Sequence, residues 1–476
     1  MELSNKDKQY RILKEKNILK GIFILALPVM LNNVLKSLHD MVDIIVVGNM
    51  NQDISIITAQ KAAIGFVGPV ISICQALALG LMTAGLAIMS QYIGASKNEK
   101  SQKTSTQLLM LSIAIGIIIN IVLYFGAPLV LKLMRALPDV YDPALRYLRI
   151  RSFEMISLFI FFAYQASRQS LGDTIRPVIW NVASILVNLI LTIILVLGFN
   201  MDLAGAAIAT VIANWSIVPI CIISMAVSKQ NKLVLKELLP DFKVVLKLFK
   251  LGVPAALSQA FTSLGFVIIN AMMSSYQGMT KDILSGITTC NRINSLLLFP
   301  AMGVGTVLAT FVGQNIGANN IKRARMSFLS ALGLSLLISV IGSLIMIPFR
   351  TNIASWLGAR GAELELCDEY LLYLLLGLPL MSIFQCFNGC FQGAGRTNLS
   401  LILSTSRLWL LRVPVLYLML FVFDVGVKSV WICMNISNFG AFFIGCILYV
   451  FVDFKPRIAN HKKIIEEKKE IKYGTQ

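Results

Sequence analysis

The chain has 476 residues, of which 57% are hydrophobic and only 14% are charged, and its net charge is +18. Soluble domains carry about 25% charged residues, so this composition excludes an ordinary soluble protein. It predicts an all-α polytopic membrane protein whose immediate partner is the lipid bilayer. The positive charge lies mainly in terminal and connecting segments. We therefore interpret it as a topological signal, not as a sign of nucleic-acid binding.

Apolar segments long enough to cross a bilayer recur along the whole chain. A span needs roughly 20 mainly apolar residues, and it must be helical because lipid offers no partner for free backbone groups. The sequence predicts twelve transmembrane helices: Leu19–Val47, Ala62–Tyr92, Thr104–Ala127, Ile150–Ser170, Pro177–Gly198, Leu203–Ser228, Leu251–Gln277, Ile283–Gly313, Met326–Phe349, Tyr370–Gly395, Leu399–Phe423 and Val425–Phe454.

The distribution of Lys and Arg predicts the orientation. These residues concentrate in the N-terminal tail, in the middle of the chain and in the C-terminal tail, which places both termini in the cytoplasm of a multi-pass cell-membrane protein. The connection Leu131–Arg151 is an exception, since it should lie outside yet is basic. No cleavable signal peptide is visible, because the first twenty residues are polar and basic.

Two sequence matches at one offset show that the chain is a duplication. Gln91–Ala95 recurs as Gln314–Ala318, and the Gly172–Thr174 triplet recurs at Gly395–Thr397, both 223 residues later. Each half has six spans, so both halves start on the same side and an axis along the membrane normal should relate them. The predicted organisation is an N-tail at 1–18, a first lobe at 19–228, a cytoplasmic linker at 229–250, a second lobe at 251–454 and a C-tail at 455–476.

The first helix carries the densest set of polar residues inside any predicted span. They fall within an arc of about 120° on the helix, so they line one face. Ionisable groups in a membrane are expensive and indicate function by default. One interpretation is a proton or cation site in which Lys36 pairs with Asp40 while His39 tunes Asp43. The alternative is a static buried ion pair. The set is Asn32, Asn33, Lys36, His39, Asp40 and Asp43.

The second half has no Asp or Glu inside any predicted span. We therefore assign ion binding to the first half and expect the second half to shape a substrate cavity, with ordinary core packing as the alternative. Arg412 lies near a predicted helix end, from which it could reach the interface. Glu154 is read as a local ion pair with Arg151. The predicted cavity residues are Asn33, Gln259, Asn270, Met273 and Arg292.

Several motifs, in this order and spacing, resemble the multidrug and toxic compound extrusion (MATE) family of the multidrug/oligosaccharidyl-lipid/polysaccharide exporter superfamily. The resemblance covers about Leu19 to Asp453. Its residues are Pro28 with Met41–Ile44 and Val47-Gly48, Gly172–Thr174, Gly205–Thr210, Arg407 with Arg412–Pro414, Gly426 and Trp431.

The resemblance implies two six-helix lobes around a V-shaped cleft and export of organic cations and drugs in exchange for H⁺ or Na⁺. Asp43 matches the family's coupling-ion acid on the first helix, and Asn188 and Thr210 match residues of the same site. Thr192 departs from the family pattern, which usually has Asp four residues after the Asn. We favour H⁺ over Na⁺, because the missing carboxylate weakens a multidentate cation site that Asp40 would have to complete.

The sequence therefore predicts a monomeric antiporter that exports small organic cations by alternating access, with no cofactor beyond the coupling ion. A lipid-linked oligosaccharide flippase is the alternative. It would need a strongly cationic cavity, for which the sequence offers Arg292 and Lys36. A membrane enzyme is a third class. His39 and His461 are the only histidines, which excludes a multi-histidine metal site, and we predict no metal site.

Overall fold

A computed structural model describes residues 12–48, 54–134, 138–228, 231–276, 281–356, 361–456 and 458. Within these ranges the side chains of residues 37–48, 54–58, 61, 235, 281–297, 356, 362 and 363 lie outside the description. The described part of the chain is helical and contains no β-strand.

The described residues of the first half form seven helices, one more than the predicted six spans. The predicted fourth span is broken at Phe153, where its N–H bonds Ile150 at 3.2 Å in a local turn. This break separates a basic helix from an apolar one of 17 residues. The helices are α1 Ile18–Gly48, α2 Ile54–Gly94, α3 Asn98–Leu133, α4 Pro138–Ser152, α5 Glu154–Ser170, α6 Ile175–Thr192, which continues as a π-helix to Gly198, and α7 Asp202–Ala226.

The second half repeats this arrangement with its own interruptions. Its eleventh span alternates between α- and π-helix, and π segments often mark functional sites. The helices are α8 Phe242–Ser275, α9 Lys281–Gly317, α10 Ile321–Met346, α11 Arg350–Trp356, α12 Ala362–Gly393, α13 Thr397–Thr405, a π segment Ser406–Arg412, α14 Val413–Tyr417, a second π segment Leu418–Val422, and α15 Ser429–Val450.

The helices account for all twelve predicted spans. Ten are long and apolar enough to cross a membrane within the described residues, and α5 and α9 supply the fourth and eighth. Several extend beyond the predicted bounds. The largest difference is at α8, which begins at Phe242 inside the predicted linker, because the Asp241 side chain accepts a bond from the Lys243 N–H at 2.8 Å and caps the helix.

The two lobes meet through two pairs of helices, and each pair is the counterpart of the other in the duplication. In one pair α1 packs against α9, and in the other α8 packs against α2. Because α1 corresponds to α8 and α2 corresponds to α9, each contact is the image of the other. This reciprocity is the structural expression of the predicted two-fold relation between six-helix lobes.

The recurring pentapeptides lie against each other where α2 and α9 end, which we call the junction end. A Cβ atom on Gly94 would collide with the backbone oxygen of Gln314, and one on Gly317 would collide with that of Gln91. Only glycine permits these two approaches. The junction end is therefore built from the same motif twice, once from each lobe.

Hydrogen bonds across the junction obey the same symmetry. The Gln91 side chain donates to the carbonyl of Gly393 at 3.3 Å, and the Gln314 side chain donates to the carbonyl of Ser170 at 2.7 Å. Both donors and both acceptors are 223 residues apart. Each lobe thus contributes one buried amide that bonds the end of a helix in the other lobe.

The predicted linker is attached to the first lobe. Lys103 on α3 pairs with Glu237 at 2.8 Å and with Asp241 at 2.9 Å. Gln107 donates to the Glu237 carbonyl at 2.6 Å, and buried Asn231 bonds Ser101 at 2.6 Å. These contacts fix the direction in which the chain enters the second lobe.

Candidate functional site

A column of four polar residues follows one face of α6. Asn181, Ser184, Asn188 and Thr192 are spaced by three, four and four residues, which keeps them on one side of a helix. The last three are buried. Each has a hydrogen-bond partner, so the column is a built feature of the first lobe and not a set of isolated polar positions.

The C-terminal part of this column joins three predicted site residues. Asn188 donates to the Thr210 hydroxyl on α7 at 2.9 Å, and the Thr192 hydroxyl donates to the Asn188 side-chain oxygen at 3.2 Å. Thr210 donates in turn to the Ala206 carbonyl at 3.0 Å. Asn188 is 2% exposed and Thr192 is fully buried. The structure thus brings together the three neutral members of the predicted ion site.

A second branch of the column reaches the acid of α5. Ser184 donates to Asn214 at 3.1 Å, and Asn214 donates to a Glu154 carboxylate oxygen at 3.1 Å. The other Glu154 oxygen lies 2.5 Å from Arg151, which confirms the predicted ion pair. Buried Glu154 is therefore compensated by a cation and an amide, as a carboxylate in a low-dielectric interior requires.

The Arg151–Glu154 pair helps to explain why the connection Leu131–Arg151 is basic although the charge pattern places it outside. Of the arginines on α4, Arg151 is neutralised by Glu154 and also lies over the Tyr147 ring at 5.6 Å. Arg149 lies over the Tyr124 ring at 5.5 Å. These guanidinium groups are used in contacts within the lobe and are not free loop charges.

The first helix is joined to this column through Asn32, whose side chain accepts a bond from Asn181 at 2.7 Å. Lys36 is exposed on α1 and Asn33 is half-buried. The side chains of His39, Asp40 and Asp43 lie outside the described residues, although the α1 backbone includes these positions. Their predicted roles therefore stay predictions.

The predicted cavity residues of the second lobe do not form one group. Gln259 and Asn270 are exposed on α8, whereas Met273 is 2% exposed and belongs to a core cluster with Leu408 and Leu416. Its burial in that core agrees with the packing alternative. The Arg292 side chain lies outside the described residues.

Two arginines that the sequence analysis left without a role line a cavity in the second lobe. Arg407 is 3% exposed and Arg412 is 6% exposed. The expectation that Arg412 reaches the interface is wrong, because the helical run continues ten residues beyond it to Val422. The cavity has a volume of about 40 Å³, and Gly377 and Asn438 are also among its lining residues.

Sequence reasoning missed Asn181 and Ser184, which are half of the α6 column, and the contacts of the arginine pair. The column could have been found by applying to the fifth span the helical-face test that singled out the first helix. The arginines could not be placed by spacing alone, because their partners come from α12 and α15, and only packing shows which helices surround them.

The fold and the buried polar column in its first lobe define a class: a duplicated twelve-helix membrane transporter. Residues 28–194 and 254–418 match the MatE family model. The chain therefore belongs to the MatE family of multidrug efflux transporters. Members of this family are transporters and not enzymes.

Relatives and solved structures agree with this assignment over nearly the whole chain. The probable multidrug resistance protein YoeA of Bacillus subtilis is 22% identical over 87% of this chain and 90% of its own length. The probable multidrug resistance protein NorM of Thermotoga maritima is 22% identical over 88% of this chain and 89% of its own length. The outward-facing structure of a multidrug resistance MATE family transporter superposes with a TM-score of 0.86 at 22% identity, covering 97% of this chain and 100% of that one.

Proposed function

We propose that this protein is a proton-coupled antiporter that exports organic cations and drugs across the cell membrane. Asp43 carries the coupling ion, and Asn188, Thr192 and Thr210 form the neutral part of its site. The observation that supports this most directly is the continuous chain of hydrogen bonds that joins these three residues. Both chain termini face the cytoplasm, and the transporter acts as a monomer.

The hydrogen-bond chain favours H⁺ over Na⁺ for a chemical reason. A hard metal cation needs several oxygen ligands with free lone pairs. Here the Asn188 oxygen already accepts from Thr192, and the Thr210 hydroxyl already accepts from Asn188. With Thr in place of a carboxylate at position 192, these bonds leave Na⁺ few free lone pairs and no second negative charge, whereas a proton needs only one carboxylate.

Helix register supports the choice of Asp43. Asn32 and Asn181 are in contact, which fixes the level of α1 relative to α6. Position 43 follows Asn32 by eleven residues, and Thr192 follows Asn181 by eleven residues. Eleven residues make about three helical turns. Because α1 and α6 pack together, and because as the first and fifth spans they cross the membrane in the same direction, we expect positions 43 and 192 at one level.

The reciprocal junction supports an alternating-access cycle. The junction end is closed by glycine contacts and amide bonds between the lobes, and with cytoplasmic termini it is the inner face. Protonation of Asp43 from outside would release the drug, after which the lobes part at the junction and open the site inward. The Lys36 and His39 side chains on the same helix tune the proton affinity of Asp43 through their charge.

A flippase for lipid-linked oligosaccharides is the second candidate, and the buried Arg407 and Arg412 are the observation in its favour. A cavity of about 40 Å³ holds a few water molecules and excludes a sugar headgroup. We therefore keep drug export as the proposed function.

The deciding experiment measures efflux of a cationic dye by energised cells or proteoliposomes carrying Asp43→Asn. We expect efflux to fall to background while the protein inserts at normal levels, because the asparagine side chain cannot carry a proton. The matched control is Asp202→Asn, which changes an acid at the start of α7 outside the site, and it should transport normally. Undiminished efflux by Asp43→Asn would refute the assignment. Replacing Na⁺ by K⁺ at constant pH should leave wild-type efflux unchanged, and a loss would show Na⁺ coupling instead.

A further inference from the structure

Arg407 and Arg412 of the second lobe are buried and pair with no carboxylate among the described residues. The predicted second-lobe spans contain no Asp or Glu away from their ends, and arginine keeps its charge in proteins. Arg407 and Arg412 lie in the middle of a 26-residue span. Two uncompensated cations at this depth are costly, since buried charges require pairing.

Their described partners are all neutral. Arg407 donates to the Asn438 oxygen at 3.3 Å, and Arg412 donates to the same oxygen at 3.2 Å. Arg412 also bonds the Ser437 hydroxyl at 2.9 Å, and Arg407 lies over the Phe384 ring at 4.2 Å. A single amide oxygen shared by two guanidinium groups draws them together but does not neutralise them.

One N–H group of the two arginines lacks a hydrogen-bond acceptor among the described residues. Among the described residues, the buried Nε of Arg407 has no hydrogen-bond partner. Leaving a buried charged donor unsatisfied is unfavourable. The cluster therefore lacks an acceptor as well as a negative charge.

Comparison with the first lobe shows what is missing. At the offset of 223 residues, Glu154 corresponds to Gly377, Arg151 corresponds to Leu374, and Ser184 corresponds to Arg407. The first lobe thus has a carboxylate where the second lobe has glycine. The second lobe has a guanidinium where the first lobe has a hydroxyl. Substitution has removed the anion and added a cation in the same neighbourhood.

A cavity lies beside the position of the missing carboxylate. Gly377 and Leu374 line it together with Arg407, Arg412 and Asn438, whereas the space directly at Gly377 is occupied by the Asn435 side chain. Its volume of about 40 Å³ exceeds the roughly 10–15 Å³ that one water requires. A chloride ion or a single carboxylate group fits this volume, whereas a drug-sized molecule does not.

We propose that this cavity beside Gly377 binds one small monovalent anion between Arg407 and Arg412. The anion is either free chloride or a small carboxylate, and both share the same chemistry. It accepts hydrogen bonds from the guanidinium groups and stabilises the second lobe. This site is independent of the coupling ion.

The test uses the full-length purified protein in lipid nanodiscs. Its unfolding temperature is measured while sodium chloride replaces sodium gluconate, whose six-carbon anion is too large for the cavity, at constant ionic strength. We expect a saturable rise of about 3 °C with chloride, since a ligand that binds only the folded state stabilises it. Formate in place of chloride tests the carboxylate source: a rise with formate alone assigns the site to a carboxylate group, and a rise with chloride assigns it to a free halide.

Substitutions at Met381, which keep both arginines of the cavity, test where the anion binds, and arginine substitutions serve as a comparison. The Met381 sulfur lies 3.1 Å from Arg407, so Met381→Glu supplies a fixed carboxylate of similar length. It should be as stable in gluconate as the wild type is in chloride, and it should lose the chloride response. Met381→Gln should keep the response. Arg407→Gln should lose it, whereas Arg168→Gln, at another buried arginine whose bonds go to Ser224, should keep it.

Two results would overturn the proposal. One is an unfolding temperature that is the same in gluconate, chloride and formate. The other is an anion response that persists in Met381→Glu, which would place the anion elsewhere. Neither result concerns proton coupling, because the measurement involves no transport, so the site and the transport proposal fail separately.

Discussion

The two lobes share the same contacts where they meet and differ in charge where they do not. At the junction, Gln91 and Gln314 make equivalent bonds to the other lobe. Inside the lobes, Arg151 and Glu154 form a neutral pair, whereas Arg407 and Arg412 share an amide oxygen and pair with no acid among the described residues. Duplication has therefore kept the interface symmetric while the interiors have diverged.

The difference has a mechanical reason. At the junction, the pentapeptide of each lobe contacts the repeated pentapeptide of the other lobe. A substitution in one lobe therefore disturbs a contact that the other lobe also needs. Glu154 and Gly377 do not meet each other. Their helices pack within separate lobes, α5 against α7 and α12 against α15, so each site can change alone. The three predictions below test this contrast.

The largest effect is expected at the junction glycines. In Gly94→Ala and in Gly317→Ala the new Cβ collides with backbone oxygen of the other lobe, which cannot move away as a flexible side chain would. Both variants should lose nearly all efflux, and to a similar extent, because the two contacts are equivalent. Dye efflux at matched expression level measures this.

The control for the junction is a glycine with open surroundings. No atom lies within 4 Å of the Cβ position at Gly333 on α10, so Gly333→Ala should transport normally. Near-normal efflux in Gly94→Ala with loss in Gly317→Ala would break the symmetry of the junction.

A smaller but still large effect is expected at Glu154. In Glu154→Gln the buried Arg151 loses its anion, and removing one partner of a buried ion pair costs about 3 kcal/mol or more. The folded state should be less stable by that amount in urea unfolding of the reconstituted protein. Glu237→Gln removes one acid from the half-exposed cluster around Lys103, so it should cost only about 0.5 kcal/mol. Equal costs would contradict the burial argument.

The smallest effect concerns the linker, which is bound to the first lobe through Lys103. Hydrogen bonding to Lys103 and then to the Lys243 backbone holds the pKa of Asp241 below its ordinary value. A depressed carboxylate pKa stabilises the folded state above the unfolded pKa of about 3.9 and ceases to do so as pH falls through the folded value.

Asp241→Asn removes that charge and retains a capping residue. We expect it to be about 0.5 kcal/mol less stable than the wild type at pH 7, with the difference vanishing as the pH falls below about 4. Unfolding measured at several pH values between 7 and 3 tests this. A difference that stays constant with pH would show that the carboxylate contributes only as a cap.

Parts of the site were predictable because they depend on local spacing. The Arg151–Glu154 pair is separated by three residues on adjoining helices, and Asn188 and Thr192 are one turn apart. The break at Phe153 and the early start of α8 at Phe242 were not predicted, since a hydropathy window averages over the turn and the cap that decide them. The exposure of Arg412 was predicted wrongly, because its surroundings come from distant helices.

The sequence by itself determined that this is a duplicated twelve-helix membrane protein, and that among its predicted spans only those of the first half contain acids away from their ends. Hydrophobic length and a repeat at one fixed offset are properties of the chain alone, and the bilayer leaves helices as the available fold. Only the tertiary structure decided that the repeated pentapeptides face each other and that Arg407 and Arg412 share one amide oxygen. Those facts depend on which helices pack together, and contacts between residues more than 20 positions apart leave no periodic trace in the sequence.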